Sequence, residues 1–123
     1  MRNLLQLLPS LLLPLALSGP VNAQHGYGSS QYNMLDEARS LMEAGQWSDA
    51  YRIYKHLVDV DTTFAEPFYG IGMCEANMPD KHDRAAAHFE TAVKLGSVEG
   101  IYQLALTRHK QQRFADEVEL LQR

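Results

Sequence analysis

The sequence predicts an all-α fold, an array of antiparallel helix pairs, and three observations predict it. From Gln31 onward apolar residues recur at three- and four-residue spacing, which places them on one face of each helix. No segment alternates apolar and polar residues over the length of a strand. The helical stretches also repeat, at an interval of 33 to 35 residues. The composition agrees: 46% hydrophobic and 21% charged residues are globular proportions, and 123 residues allow one domain. A net charge of −4 with no basic run argues against a nucleic-acid or anionic-membrane partner. Cys74 is the only cysteine, so no intrachain disulfide can form.

The chain opens with an address. Arg2 and the amino terminus are positive, and a leucine-rich run follows from Leu4 to Leu17, interrupted by Gln6, Pro9 and Pro14. It stops at Gly19-Pro20, ahead of Val21-Asn22-Ala23, the layout of a signal peptide cleaved after Ala23. The run is shorter than the about 20 apolar residues a transmembrane helix needs. Each proline in it also removes a helix hydrogen bond. The expected product is an exported chain, periplasmic or secreted, that starts at Gln24 and has no membrane attachment after cleavage. Residues 24–30, with two glycines and two serines, read as a flexible lead-in, and 31–123 as the helical-repeat domain.

Six helices are expected. The first buries Met34, Leu35, Ala38, Leu41 and Met42 and ends at Gly45, where glycine takes the left-handed conformation at no steric cost. Ser48 caps the second, which turns Ala50, Ile53, Tyr54, Leu57 and Val58 inward. Thr63 and Glu66 form a capping-box pair for the third, with Pro67 tolerated in its first turn and Phe68, Ile71 and Gly72 on its stripe. Asp80 or Asp83 caps the fourth, which buries Ala85, Phe89, Ala92 and Val93 and ends at Gly96. The fifth holds Ile101, Leu104, Ala105 and Arg108 on its inner face. The sixth carries Phe114, Val118, Leu120 and Leu121, with Phe114, Val118 and Leu121 forming a stripe expected to dock on a second copy or on a partner.

Overlaying the pairs aligns Ala38, Gly72 and Ala105, and separately Ala50, Tyr54 and Leu57 with Ala85, Phe89 and Ala92. The steric reason is that two helices approach closely where one carries Ala or Gly and the other fills the gap with a ring. The pattern resembles the tetratricopeptide repeat across residues 31–123. Phe68, Ile71-Gly72, Ala85, Phe89 and Ala92 carry the best match. Met34, Ala38, Leu41, Gly45, Trp47, Ala50, Tyr54 and Leu57 carry the first repeat, and Ile101, Leu104-Ala105, Phe114 and Leu121 the third. The chain departs from that pattern at Glu37, Glu75, Arg108, Glu117 and Gln112, the last standing where the family has glycine. The closing prolines are missing too.

The resemblance implies a groove, lined by the first helix of each pair, that grips a peptide or helix of a partner protein. The matching positions are Tyr32, Leu35, Arg39, Met42 and Glu43; Glu66, Tyr69, Met73, Ala76 and Asn77; and Glu99, Tyr102, Leu106, His109 and Lys110. Three tyrosines lie on that face, and tyrosine suits interfaces because its large ring loses little entropy on binding. Leu35, Tyr69 and Tyr102 occupy places where some family members hold Lys and Asn to clamp a carboxylate, so that specialised role is not expected. Nothing in the sequence assembles a catalytic or cofactor site. Cys74 reads as a packed thiol, His82 and His88 are six apart and do not share a helix face, and no glycine-rich phosphate loop occurs. The expected function is therefore a non-enzymatic adaptor without cofactor or metal. The alternative is a structural subunit that self-associates through stacked repeats.

Overall fold

The computed structural model describes residues 26–122; the signal-peptide segment and its cleavage point lie outside the described residues. Among the described residues five α-helices follow one another: α1 (Ser29–Glu43), α2 (Trp47–Val60), α3 (Ala65–Ala76), α4 (Ala85–Lys94) and α5 (Val98–Gln122). A 3-10 turn, His82–Arg84, leads into α4, and there is no strand among the described residues. Each helix packs on the next in chain order, and α3 also touches α1 and α5. The first helices of successive pairs are thereby neighbours. No helix among the described residues is long and apolar enough to cross a membrane.

The core follows the repeat. Ala38 and Gly72, and both triplets Ala50, Tyr54, Leu57 and Ala85, Phe89, Ala92, are buried. The small-against-aromatic rule holds within the second pair: a Cβ on Gly72 would stand 2.6 Å from the ring of Phe89. The turn expected to need a left-handed glycine uses it, and the turn that ends α4 does the same. Gly45 has φ +75° and Gly96 φ +103°. In each, the glycine N–H and the next residue's N–H return to carbonyls of the last helical turn: Gly45 to Met42 and Gln46 to Leu41, Gly96 to Val93 and Ser97 to Ala92. The same closure at both sites satisfies carbonyls that the helix end would leave unpaired.

The expected caps are not used. α2, α3 and α4 follow Gln46, Phe64 and Arg84, none of which bonds the helix end through its side chain. Asp61 takes over before α3, its Oδ1 accepting the backbone N–H of Thr63 at 2.8 Å and the Thr63 hydroxyl at 2.5 Å. Glu66 is drawn instead to Arg39. The flexible lead-in also needs correction. Ser29 already opens α1, and Tyr27 is buried with its hydroxyl donating to the Leu57 carbonyl at 2.8 Å. The backbone N–H of Gly26 donates to Asp61 Oδ2 at 2.7 Å.

The largest correction concerns the third pair. The expected fifth and sixth helices are one helix, Val98–Gln122. A turn like those at Gly45 and Gly96 would force Gln112 into the left-handed region, at a cost of about 1–2 kcal/mol. Arg, Lys and Gln, which fill most of 108–113, are good helix formers, so continuing the helix is cheaper. No non-glycine residue among the described residues has a positive φ. The consequence is exposure: Ala105 is bare, Ile101 is 57% exposed and Phe114 69%. Of all α5, only Gly100 is buried.

Candidate binding groove

Of the expected groove residues, the structure joins Arg39 to Glu66 and sets Glu66, Tyr69 and Glu99 around one cleft; the others stand in unequal roles. Leu35 is a correction, because it is 1% exposed. It stands three residues before buried Ala38, so both point into the core and Leu35 offers nothing to a partner. Tyr32 is half-buried, its ring edge-on to Tyr27 with centroids 5.6 Å apart. Met42, Met73 and Leu106 are half-buried, and Glu43, Ala76, Asn77, His109 and Lys110 are exposed. Asn77 folds back, its side-chain amide donating to the Met73 carbonyl at 2.8 Å.

Arg39 ties the first two rows together. Its guanidinium grips Glu66 through Nε and Nη2, the second contact being 2.6 Å, and reaches Asp36 at 2.8 Å through Nη1. A two-point grip of this kind fixes direction as well as distance. Arg39 therefore works as a bracket between α1 and α3, and its fork is already filled.

Tyr69 and Tyr102 differ. Tyr69 is half-buried and tilts against Phe89 of the core at 6.0 Å between centroids. Burial, with a smaller push from Glu99, raises its phenol above the usual value and keeps it neutral. Tyr102 is 68% exposed. Between the starts of α3 and α5 lies an open cleft of about 380 Å³, lined by Phe64, Ala65, Glu66, Tyr69, Ser97 and Glu99. Ser97 fixes the start of α5 by accepting the Gly100 N–H at 3.0 Å. The cleft thus offers an aromatic wall, one carboxylate matched by Arg39, and a second, Glu99, exposed at its rim. A cation is the group such a place can hold, attracted by the carboxylate and by the ring face.

Compared with family models, curated proteins and solved structures, the chain matches none. The functional reading therefore rests on its own residues.

Two residues outside the groove were not legible as a pair. Glu75 of α3 is wholly buried, with Oε1 joined to Nδ1 of His88 on α4. Its Oε2 has no hydrogen-bond partner among the described residues. The sequence signal was a glutamate on an apolar helix, but the thirteen residues to His88 cross a turn whose geometry spacing does not reveal. Beside it Cys74 is buried and free. Burial first, and Glu75 next, push its thiol up to about 12, so it stays protonated at neutral pH. His82 bonds locally, with Nδ1 2.9 Å from the Pro79 carbonyl. No group of three His, Cys, Asp or Glu residues among the described residues is arranged to hold a metal ion.

Proposed function

We propose that the protein is an exported, non-enzymatic adaptor of tetratricopeptide-like build, which takes an extended segment or helix of a partner protein on the face of α1, α3 and the first half of α5. The observation that carries the reading is the cleft of Tyr69, Glu66 and Glu99 with the exposed ring of Tyr102 close by in sequence. An open groove with a rigid aromatic wall and a carboxylate at its rim suits a protein segment bearing a lysine or arginine. The Arg39–Glu66 bracket holds two of the three rows in register without a partner, which lowers the ordering cost of binding. Export is supported by the leader of residues 1–23.

Immobilised peptides of defined sequence test this. Basic-aromatic peptides are expected to be retained over their Lys→Glu counterparts, and Glu99→Lys and Tyr102→Ala to abolish the preference while circular dichroism and melting stay unchanged. Equal capture of basic and acidic peptides, or full capture by both variants, would overturn the reading.

A further inference from the structure

The second half of α5 carries a surface that complements itself. Thr107, Gln111, Phe114, Val118 and Leu121 follow one another at steps of four, three, four and three residues, the seam of a two-helix coiled coil. Beyond Thr107 this seam is bare, Phe114 being 69% and Leu121 87% exposed. At its inner end lies a groove of about 380 Å³, between Ala76 and His82 of the body and Thr107 and Phe114 of α5. At its outer end stand Val118 and Leu121. Groove and ridge therefore lie on the same helix.

We infer that the occupant of this groove is the same helix of a second copy, running antiparallel, in a two-fold dimer. Charge decides both occupant and direction. Residues 108–113 include Arg108, Lys110 and Arg113, while 116–119 include Asp116, Glu117 and Glu119. Aligned in parallel, each block would face its own like charge. Aligned antiparallel, with Phe114 opposite Gln111 of the second copy and Val118 opposite Thr107, the blocks face their opposites. Lys110 then flanks the seam beside Glu117 of the second copy, and the symmetry makes that pair twice. In the same register Val118 of one copy reaches the groove beside Thr107 of the other. This surface meets the expected peptide groove at Ala76 and Lys110 but shares no residue with the cleft of Glu66, Tyr69 and Glu99, so the peptide test and the dimer test are read separately.

Sedimentation equilibrium on the purified protein, from low micromolar to millimolar concentration, tests the pairing together with three charge variants. The wild type is expected to dimerise. Lys110→Glu and Glu117→Lys are each expected to weaken dimerisation at least tenfold, because like charges then meet twice. The double variant is expected to restore it to within about threefold. Helicity by circular dichroism should be the same in all four. A monomeric wild type overturns the proposal, whether the stripe is then covered by another segment of the chain or by a different protein. So does a dimer indifferent to either single change, which is how a parallel pair would behave because each block still meets its own like charge, or a double variant that loses the sum of both effects.

Discussion

Gly70 of α3 lies directly under the ring of Tyr54 on α2, so close that a Cβ there would stand 2.5 to 2.6 Å from three ring carbons. The contact joins the first helix pair to the second. It sets how closely the pairs approach, and it positions α3 beside α1 for the Arg39–Glu66 bracket. Gly70→Ala must displace a buried ring. Overpacking typically costs about 1–3 kcal/mol, against a helix gain from alanine of about 0.5–1 kcal/mol. A net loss of about 1–2 kcal/mol is expected in urea denaturation.

This contact marks where reading the sequence stops working. Gly72 was legible because it aligns with Ala38 and Ala105 in the repeat, and Phe89 aligns with Tyr54 one repeat earlier. Gly70 has no counterpart in the neighbouring repeats, so periodicity is silent about it. Tyr27 was missed for the related reason that one aromatic among glycines and serines has no period at all. Leu35 was misplaced because a family groove position and a core position differ by a small helix rotation, which depends on how neighbouring helices sit. The third pair failed at one residue, Gln112: an apolar stripe fixes a face but not whether the helix carrying it turns back.

Tyr27 should prove structural. Its hydroxyl donates to the carbonyl of Leu57, which also accepts the Asp61 N–H at 3.2 Å, and its ring packs edge-on to Phe64 at 5.3 Å. Tyr27→Phe keeps the ring and removes one buried hydrogen bond, an expected loss of about 0.5–1.5 kcal/mol. Tyr27→Ala should cost about 3–5 kcal/mol, as for other buried rings. Thermal melts of the two variants, compared with wild type, give that order if the segment is part of the core.

Glu75 and His88 should be strongly coupled. Removing the imidazole leaves a wholly buried carboxylate without its hydrogen-bonding neighbour, and breaking a buried pair from one side costs about 3–5 kcal/mol. His88 is itself 31% exposed, so water can enter its place, and the lower end is expected for His88→Ala. Glu75→Met with His88→Ala removes the buried polar group as well and should recover most of the loss. A double-mutant cycle by chemical denaturation measures the coupling. Additive losses would mean the pair is incidental.

Cys74 should be unreactive until the chain unfolds. Its thiol is raised from 9.0 to about 12, so thiolate is scarce at pH 8 and the sulfur is enclosed. Alkylation by iodoacetamide should be at least about a hundredfold slower than in urea. The linkage has a definite sign. A folded-state value above the unfolded one contributes stability that is complete below pH 9 and fades as pH rises toward 12, because the unfolded chain releases its proton first. Denaturation midpoints that fall above pH 9 in wild type, and fall less in Cys74→Ala, are the expected result.

Gln112 decides the shape of the second half of α5. As one helix its 25 residues span about 37 Å, and its outer half leaves the body with Phe114 and Leu121 bare. Glycine at 112 would supply the left-handed residue that closes the turns at Gly45 and Gly96. It would also lower the helix preference there by about 1 kcal/mol. The gain from folding back is larger, since covering Ile101 and Leu121 is worth about 1.5–3 kcal/mol for each side chain fully buried. Gln112→Gly is therefore expected to convert the single helix into an antiparallel pair. Small-angle scattering of monomeric fractions should show a smaller radius of gyration and a shorter maximum dimension. The same substitution should abolish self-association through Phe114 and Val118, because the first half of α5 then covers the stripe. An unchanged radius of gyration would mean that the helix preference of the flanking Arg, Lys and Gln residues holds α5 straight even when the left-handed turn costs nothing.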